Sequence, residues 1–247
     1  MNENSYKGKL IAFDGLDGSG KATQANLLVK YLQEQGFDAA IIDFPQYGTK
    51  SAGLVENYLN GKYGGPEDVN PYLASIFYAC DRYDSSFLIK KWLRDGKIVV
   101  SDRYVGSNIG HQGGKIKEKQ ERVKFIKWLY NLEYQIFGIP KPNVTFILKT
   151  SPKISWKMTG EQNDEKKKEK RRFYLGEKIR DIHEDDLSHL KPAFLSYLEA
   201  SQEFPQDFKV IECLENDELL APEIIHQKIL KHIKEILKDY EKNSKNN

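Results

Sequence analysis

Cysteine is scarce in this chain: Cys80 and Cys213 are the only two among 247 residues. Two thiols so far apart, with no second pair, make neither a disulfide framework nor a zinc knuckle, and they read as reduced packing residues. Long apolar runs are missing as well. No stretch reaches the roughly 18 residues of a membrane span, and the opening MNENSYKGKLIAFDG has no apolar core ending in a small-residue cleavage site. A cytoplasmic protein with no membrane partner is expected. An excess of one charge is lacking too: 38 Lys and Arg against 36 Asp and Glu leave a formal net charge of +2, too weak a field to draw nucleic acid. Function has to be sought in local sites. What is present, 39% hydrophobic and 30% charged residues, suits a globular chain with one domain over 1–247.

Short apolar runs at Leu10 to Phe13, Ala39 to Phe44, Ile98 to Ser101, Val144 to Leu148 and Lys209 to Ile211 predict five strands, with helical patterns between them. Strands this continuously apolar are covered on both faces. That predicts an α/β doubly wound architecture with a parallel sheet, and ligands beyond the strand C-termini. Two segments stand apart. Residues 157–178 are crowded with Lys and Glu and too polar to pack alone; residues 238–247 read as a frayed tail.

The first strand runs into Gly15-Leu16-Asp17-Gly18-Ser19-Gly20-Lys21-Ala22-Thr23, and a helical pattern follows from Ala22 to Leu32. Strand, glycine loop and helix in that order make a phosphate cradle, because the glycines let successive N–H groups turn inward at a helix N-terminus. Lys21 adds a full positive charge. The loop marks Gly15, Asp17, Gly18, Ser19, Gly20, Lys21, Ala22 and Thr23 as an ATP-binding element, and the fold as the three-layer α/β/α P-loop NTPase type with a parallel five-stranded sheet. One position departs from the pattern. Ala22 stands where Ser or Thr usually meets magnesium, so Thr23 or water must supply that oxygen. Asp102, at the end of the apolar strand Ile98-Val99-Val100-Ser101-Asp102, is the candidate carboxylate for Mg2+. Arg103 beside it has the planar fork that suits phosphate.

The stretches Phe13 to Gln24, Phe44-Pro45-Gln46-Tyr47-Gly48, Tyr78-Ala79-Cys80-Asp81-Arg82 and Asp102-Arg103-Tyr104-Val105-Gly106-Ser107-Asn108 resemble, in order, the motifs of the thymidylate kinase family. The resemblance is good over about residues 8–150 and looser beyond, through Asp181-Ile182-His183-Glu184. It implies ATP and dTMP as substrates, a homodimer, Asp17 near the acceptor sugar, Arg103 on the acceptor phosphate and Arg82 at the base edge. Phe44, Pro45, Tyr47, Tyr78, Ser107, Asn108, His111 and Gln112 complete the implied acceptor site. Tyr78 and Arg82 are four apart on a helical stretch and so share a face, where a ring can stack on a pyrimidine while the guanidinium donates to it. Two positions depart from the family: Gln46 stands where Arg is common, and His111 where many relatives carry a Tyr near the sugar 2′ position.

An acceptor phosphate monoester, with its second ionisation at about pH 6, is already an anion at neutral pH and needs no general base. Alignment and charge neutralisation by the loop, Lys21, Arg103 and magnesium then suffice, completed by a cation from a lid over about 155–182. Because loop position 18 is Gly rather than Arg, the resemblance implies that the closing arginine comes from that lid: Arg180, or else Arg171 or Arg172. A kinase for another (deoxy)nucleoside monophosphate, a deoxynucleoside kinase and a catalytically weak nucleotide-binding regulator stay open as alternatives.

Overall fold

The computed structural model describes residues 6–160 and 189–245. Five parallel strands form the central sheet: β1 (Lys9–Gly15), β2 (Ala39–Asp43), β3 (Ile98–Asp102), β4 (Val144–Lys149) and β5 (Phe208–Glu212), in the order β2-β3-β1-β4-β5. All five apolar runs of the sequence are strands, each within two residues of its expected bounds. β1 sits in the middle, with Phe13 opposite Asp102 on one side and Phe146 on the other.

Alternation along β1 divides its side chains between two cores. Leu10 and Ala12 face a layer that contains Val99, Ile109, Phe125 and Tyr197, while Ile11 and Phe13 face one with Leu28, Val100, Phe146 and Ile229. The first layer is closed by α3 (Pro71–Arg94), α4 (Val105–His111), α5 (Lys119–Tyr130) and α7 (Leu190–Glu203); the second by α1 (Lys21–Glu34) and α8 (Pro222–Lys245). At about 25 cal/mol per Å² of apolar surface, burial of both strand faces is what makes continuous apolar runs necessary. The smaller α2 (Gly53–Leu59) and α6 (Pro152–Gly160) lie at the C-terminal edge of the sheet, the latter directly against the glycine loop.

α8 runs to Lys245, into the segment whose polarity suggested a frayed tail. Ile225, Ile229, Ile233 and Leu237 repeat every four residues on its buried face, and Tyr240 extends that anchorage by donating its hydroxyl to the Gly96 carbonyl at 2.8 Å. Of the lid expected over 155–182, α6 accounts for the start, and the stretch from 161 on lies outside the described residues.

Candidate active site

Between β1 and α1, Gly20 takes the N-cap position in a left-handed conformation (φ 90°), and neither a capping side chain nor a first-turn acid occupies the helix start. The first-turn N–H groups and the positive end of the helix dipole therefore face the loop. Gly18 is needed for a second reason. A Cβ there would lie 2.5 Å from the Ser155 carbonyl oxygen and 2.9 Å from Thr159 Oγ1, where α6 packs on the loop. Ser19 Oγ is buried with no hydrogen-bond partner. Lys21 is buried, its Nζ donating to the carbonyls of Leu16 at 2.7 Å and Gly15 at 3.1 Å. Burial pushes its ammonium down from 10.5 to about 8, with Arg103 adding to the shift and Asp17, Asp102 and Asp14 opposing it.

β3 ends in Asp102, whose Oδ1 is buried and unpartnered. Arg103 then enters the left-handed region at φ 69°, a conformation that costs a non-glycine residue of order 1–3 kcal/mol. Its N–H holds the turn by donating to the Phe13 carbonyl at 2.8 Å, and the Ser101 hydroxyl donates to its carbonyl. The turn carries the guanidinium over to Asp17, with which it forms an ion pair. Burial disfavours the Asp17 carboxylate, but Arg103, His111 and Lys21 outweigh it and hold the group well below the usual range.

Asp17 and Arg103 both line one open cavity. Phe44, Pro45 and Tyr47 reach it from the loop after β2, Tyr78 and Arg82 from one face of α3, and Ser107, Asn108, His111 and Gln112 from α4 and its C-cap. Motifs spread over 17–112 thus meet at one place. Leu59 and Asp81, which sequence reasoning did not select, line it as well. Buried Asp81 fixes the loop after β2 by accepting the Gln46 N–H and the Ser51 hydroxyl, each at 2.9 Å. Gln46 turns its side-chain amide back onto the Asp43 carbonyl and carboxylate, and it does not line the cavity.

Arg82 is 1% exposed. Its Nε and Nη2 each donate to a carboxylate oxygen of Glu133 at 2.7 Å, and its Nη1 lies 3.5 Å from the Tyr104 carbonyl. His111 is held neutral: burial lowers its imidazole to about 3, against the pull of Asp17 and with the help of Arg103. Its Nε2 and the Oε1 of Gln112 are buried without hydrogen-bond partners. Three further residues escaped the sequence. Asp14, which precedes the glycine loop, accepts from the Ser107 hydroxyl and is raised by burial to about 6. Tyr197 reaches in from α7, its hydroxyl 3.3 Å from the Gly15 carbonyl. Glu133 sits in a π-helical turn (Asn131–Ile136) after α5. Asp14 lies within the motif stretch Phe13 to Gln24 but is given no role there; the other two lie in no motif.

Among the described residues no group of three or more His, Cys, Asp or Glu could hold a metal ion by itself. Magnesium borne on phosphates needs only one or two carboxylates, and Asp102 with its buried, unpartnered Oδ1 fits that need. Thr23 is exposed and, two residues past Lys21, lies round the helix from it. Arg171, Arg172 and Arg180 lie outside the described residues. A second, open cavity lies at the C-terminal ends of β4 and β5, lined by Lys149, Thr150, Ser151, Phe194, Glu212 and Asn216 among others.

The thymidylate kinase family model matches residues 13–185. The chain belongs to the thymidylate kinase family. Relatives agree along its length: a probable thymidylate kinase of Methanosarcina barkeri is 29% identical over 232 residues, which is 94% of this chain and 98% of that protein. The thymidylate kinase of Plasmodium falciparum is 28% identical over 75% of this chain and 90% of its own. In fold, the thymidylate kinase structure from Candida albicans superposes with a TM-score of 0.67 at 22% identity, over 96% of this chain and 95% of that one. The cavity and the glycine loop therefore sit on a thymidylate kinase framework. None of its described helices is long and apolar enough to cross a membrane.

Proposed function

We propose that this chain transfers the γ-phosphoryl group of ATP to dTMP, giving dTDP and ADP. The observation that carries the reading is the single cavity into which the glycine-loop Asp17, the strand-terminal Arg103, and Tyr78, Arg82, Asn108 and Gln112 all project. It combines a cation for a phosphate, an aromatic ring for a base face, and amide and guanidinium groups for a base edge.

In this reading ATP phosphates lie in the Gly15–Thr23 loop, against the first-turn N–H groups of α1, and the donor nucleoside extends toward the cavity at β4 and β5. The acceptor lies on the β3 side, its phosphate facing Arg103. Lys21 leaves the Leu16 and Gly15 carbonyls for the transferring group, and Asp17 keeps Arg103 oriented. A magnesium ion beside Asp102 would neutralise charge on the donor phosphates, with water supplying the oxygens that Ala22 lacks and exposed Thr23 does not bring. A lid arginine, Arg180 or else Arg171 or Arg172, completes the charge cage over a lid of about 155–182. No side chain has to remove a proton, because the acceptor is already an anion above about pH 6. Two free cysteines fit a reducing cytoplasm. Exposed Tyr83 and Phe87 on α3, with Phe137 packed on Tyr83, supply an apolar face for a homodimer.

A coupled ADP-release assay across dTMP, dUMP, dCMP, UMP and thymidine tests the assignment. dTMP is expected to be turned over best and thymidine not at all. Turnover of another monophosphate with none of dTMP refutes the substrate. Lys21→Ala is expected to lower the rate by about two to three powers of ten, the scale of one lost transition-state charge contact; a near-normal rate removes the loop from the mechanism.

A further inference from the structure

The guanidinium of Arg82 is held in an unusual way for a residue on a ligand cavity. It is 1% exposed and Glu133 is 0% exposed, and the pair is bidentate with both N···O distances at 2.7 Å. A guanidinium has five N–H bonds. Glu133 takes one on Nε and one on Nη2, and the Tyr104 carbonyl one on Nη1 at 3.5 Å, so one N–H on Nη1 and one on Nη2 are left without a partner among the described residues.

Two consequences follow from the pairing. Electrically, Glu133 cancels the charge of Arg82, so the side chain contributes direction rather than net charge to the cavity and does not compete with Arg103 for an acceptor phosphate. Chemically, the N–H bonds that remain can only donate. They accept nothing, so they suit a ring carbonyl and oppose a ring amino group. The support behind Glu133 is a π-helical turn, Asn131–Ile136, in which the wider winding replaces the regular helix of α5. Such turns are infrequent and gather at functional sites. The turn is itself tied down, Phe137 N–H donating to the Leu132 carbonyl at 2.8 Å and Ile139 N–H to that of Glu133 at 3.0 Å.

We propose that Glu133 is a positioning residue that sets acceptor-base specificity: by fixing and neutralising Arg82 it makes the cavity select a 4-oxo pyrimidine over a 4-amino one. The inference rests on the dTMP reading of the cavity, and its test separates the two. Kinetics on dTMP and dCMP, together with the Michaelis constant for ATP and the melting temperature, are measured for the native enzyme, Glu133→Gln, Arg82→Gln and the double variant. In the native enzyme dTMP is favoured over dCMP; a native enzyme that turns over no pyrimidine monophosphate refutes the dTMP reading itself, before any variant is compared.

Glu133→Gln is expected to lower kcat/KM for dTMP by about tenfold to a hundredfold, mainly through KM, and to narrow the dTMP to dCMP preference by a similar factor. KM for ATP stays within about twofold. In the Arg82→Gln background the same change has no further effect on dTMP, because Glu133 acts only through Arg82. Additive losses in the double variant, or an unchanged base preference in Glu133→Gln, overturn the proposal. Should Glu133→Gln fold poorly, the doubly apolar Arg82→Met/Glu133→Leu variant removes both charges together and keeps the core filled. It is expected to melt near the native protein and to have lost base discrimination; retained discrimination in that variant also overturns the proposal.

Discussion

Burial of Lys21 makes alkaline pH a direct probe of the phosphate loop. The ammonium is pushed down from 10.5 to about 8 chiefly because it is taken out of water, and the protonated form is the one that meets a phosphate. The sign is therefore a loss of activity as pH rises. Since kcat/KM reports ionisations of the free enzyme, kcat/KM for ATP should be halved near pH 8 and fall about tenfold by about pH 9, whereas an unburied lysine would still be almost fully charged there. Substrate phosphates are fully ionised over that range and contribute no limb of their own. In kcat the limb should move to higher pH, because bound phosphate charge favours the ammonium. Lys115 is the competing titration, since burial brings it also to about 8. It donates to the Tyr58 hydroxyl and the Pro66 carbonyl, outside the glycine loop, so Lys115→Met should leave the ATP limb in place. Initial rates at subsaturating ATP and saturating dTMP, from about pH 7 to 10, provide the measurement. A profile flat to about pH 10, or a limb that survives in Lys21→Arg, refutes the reasoning.

Arg82→Ala should cost about tenfold to a hundredfold in dTMP efficiency, the worth of a buried charged hydrogen bond of about 1.5–3 kcal/mol, with ATP affinity unchanged; isothermal titration with each nucleotide separates this from a defect at the ATP side. Gly110→Ala places a Cβ 2.1 Å from the ring of buried Tyr197. The helix-propensity gain of about 0.5–1 kcal/mol is outweighed by about 1–3 kcal/mol of overpacking, so a melting temperature a few degrees lower is expected, and a rise in thermal scans would contradict it.

Much of the fold is legible because a doubly covered parallel sheet leaves an unmistakable pattern. Leu10 to Phe13 have no polar position because neither face of β1 meets water, and Val144 to Leu148 are buried throughout with only Thr145 polar among them. Most cavity residues are legible because they belong to short motifs, at the ends of β1, β2 and β3 or on one face of α3. Glu133 is not, since its meaning depends on α3 and the π-helical turn being neighbours across 51 positions of sequence, and no local spacing encodes that. Tyr197 is hidden for a similar reason: it reads as one more aromatic on the buried face of α7 until its hydroxyl is seen at the Gly15 carbonyl.

The strand order has a consequence for how such a protein changes over generations. With β1 at the centre, the acceptor cavity on its β3 side is drawn almost wholly from one interval of the chain: apart from Asp17, every residue lining it falls between Phe44 and Gln112. The glycine loop precedes that interval, and β4, β5, α7 and α8 follow it. A gene conversion or crossover pair bracketing that interval would replace nearly the whole cavity lining in one event and leave the nucleotide loop untouched. Besides the pairing of β3 with β1 and β2 and the core packing of α3 and α4, the features that must match at the seams include the Arg103–Asp17 ion pair, the Arg82–Glu133 pair and the fit of Gly110 under Tyr197.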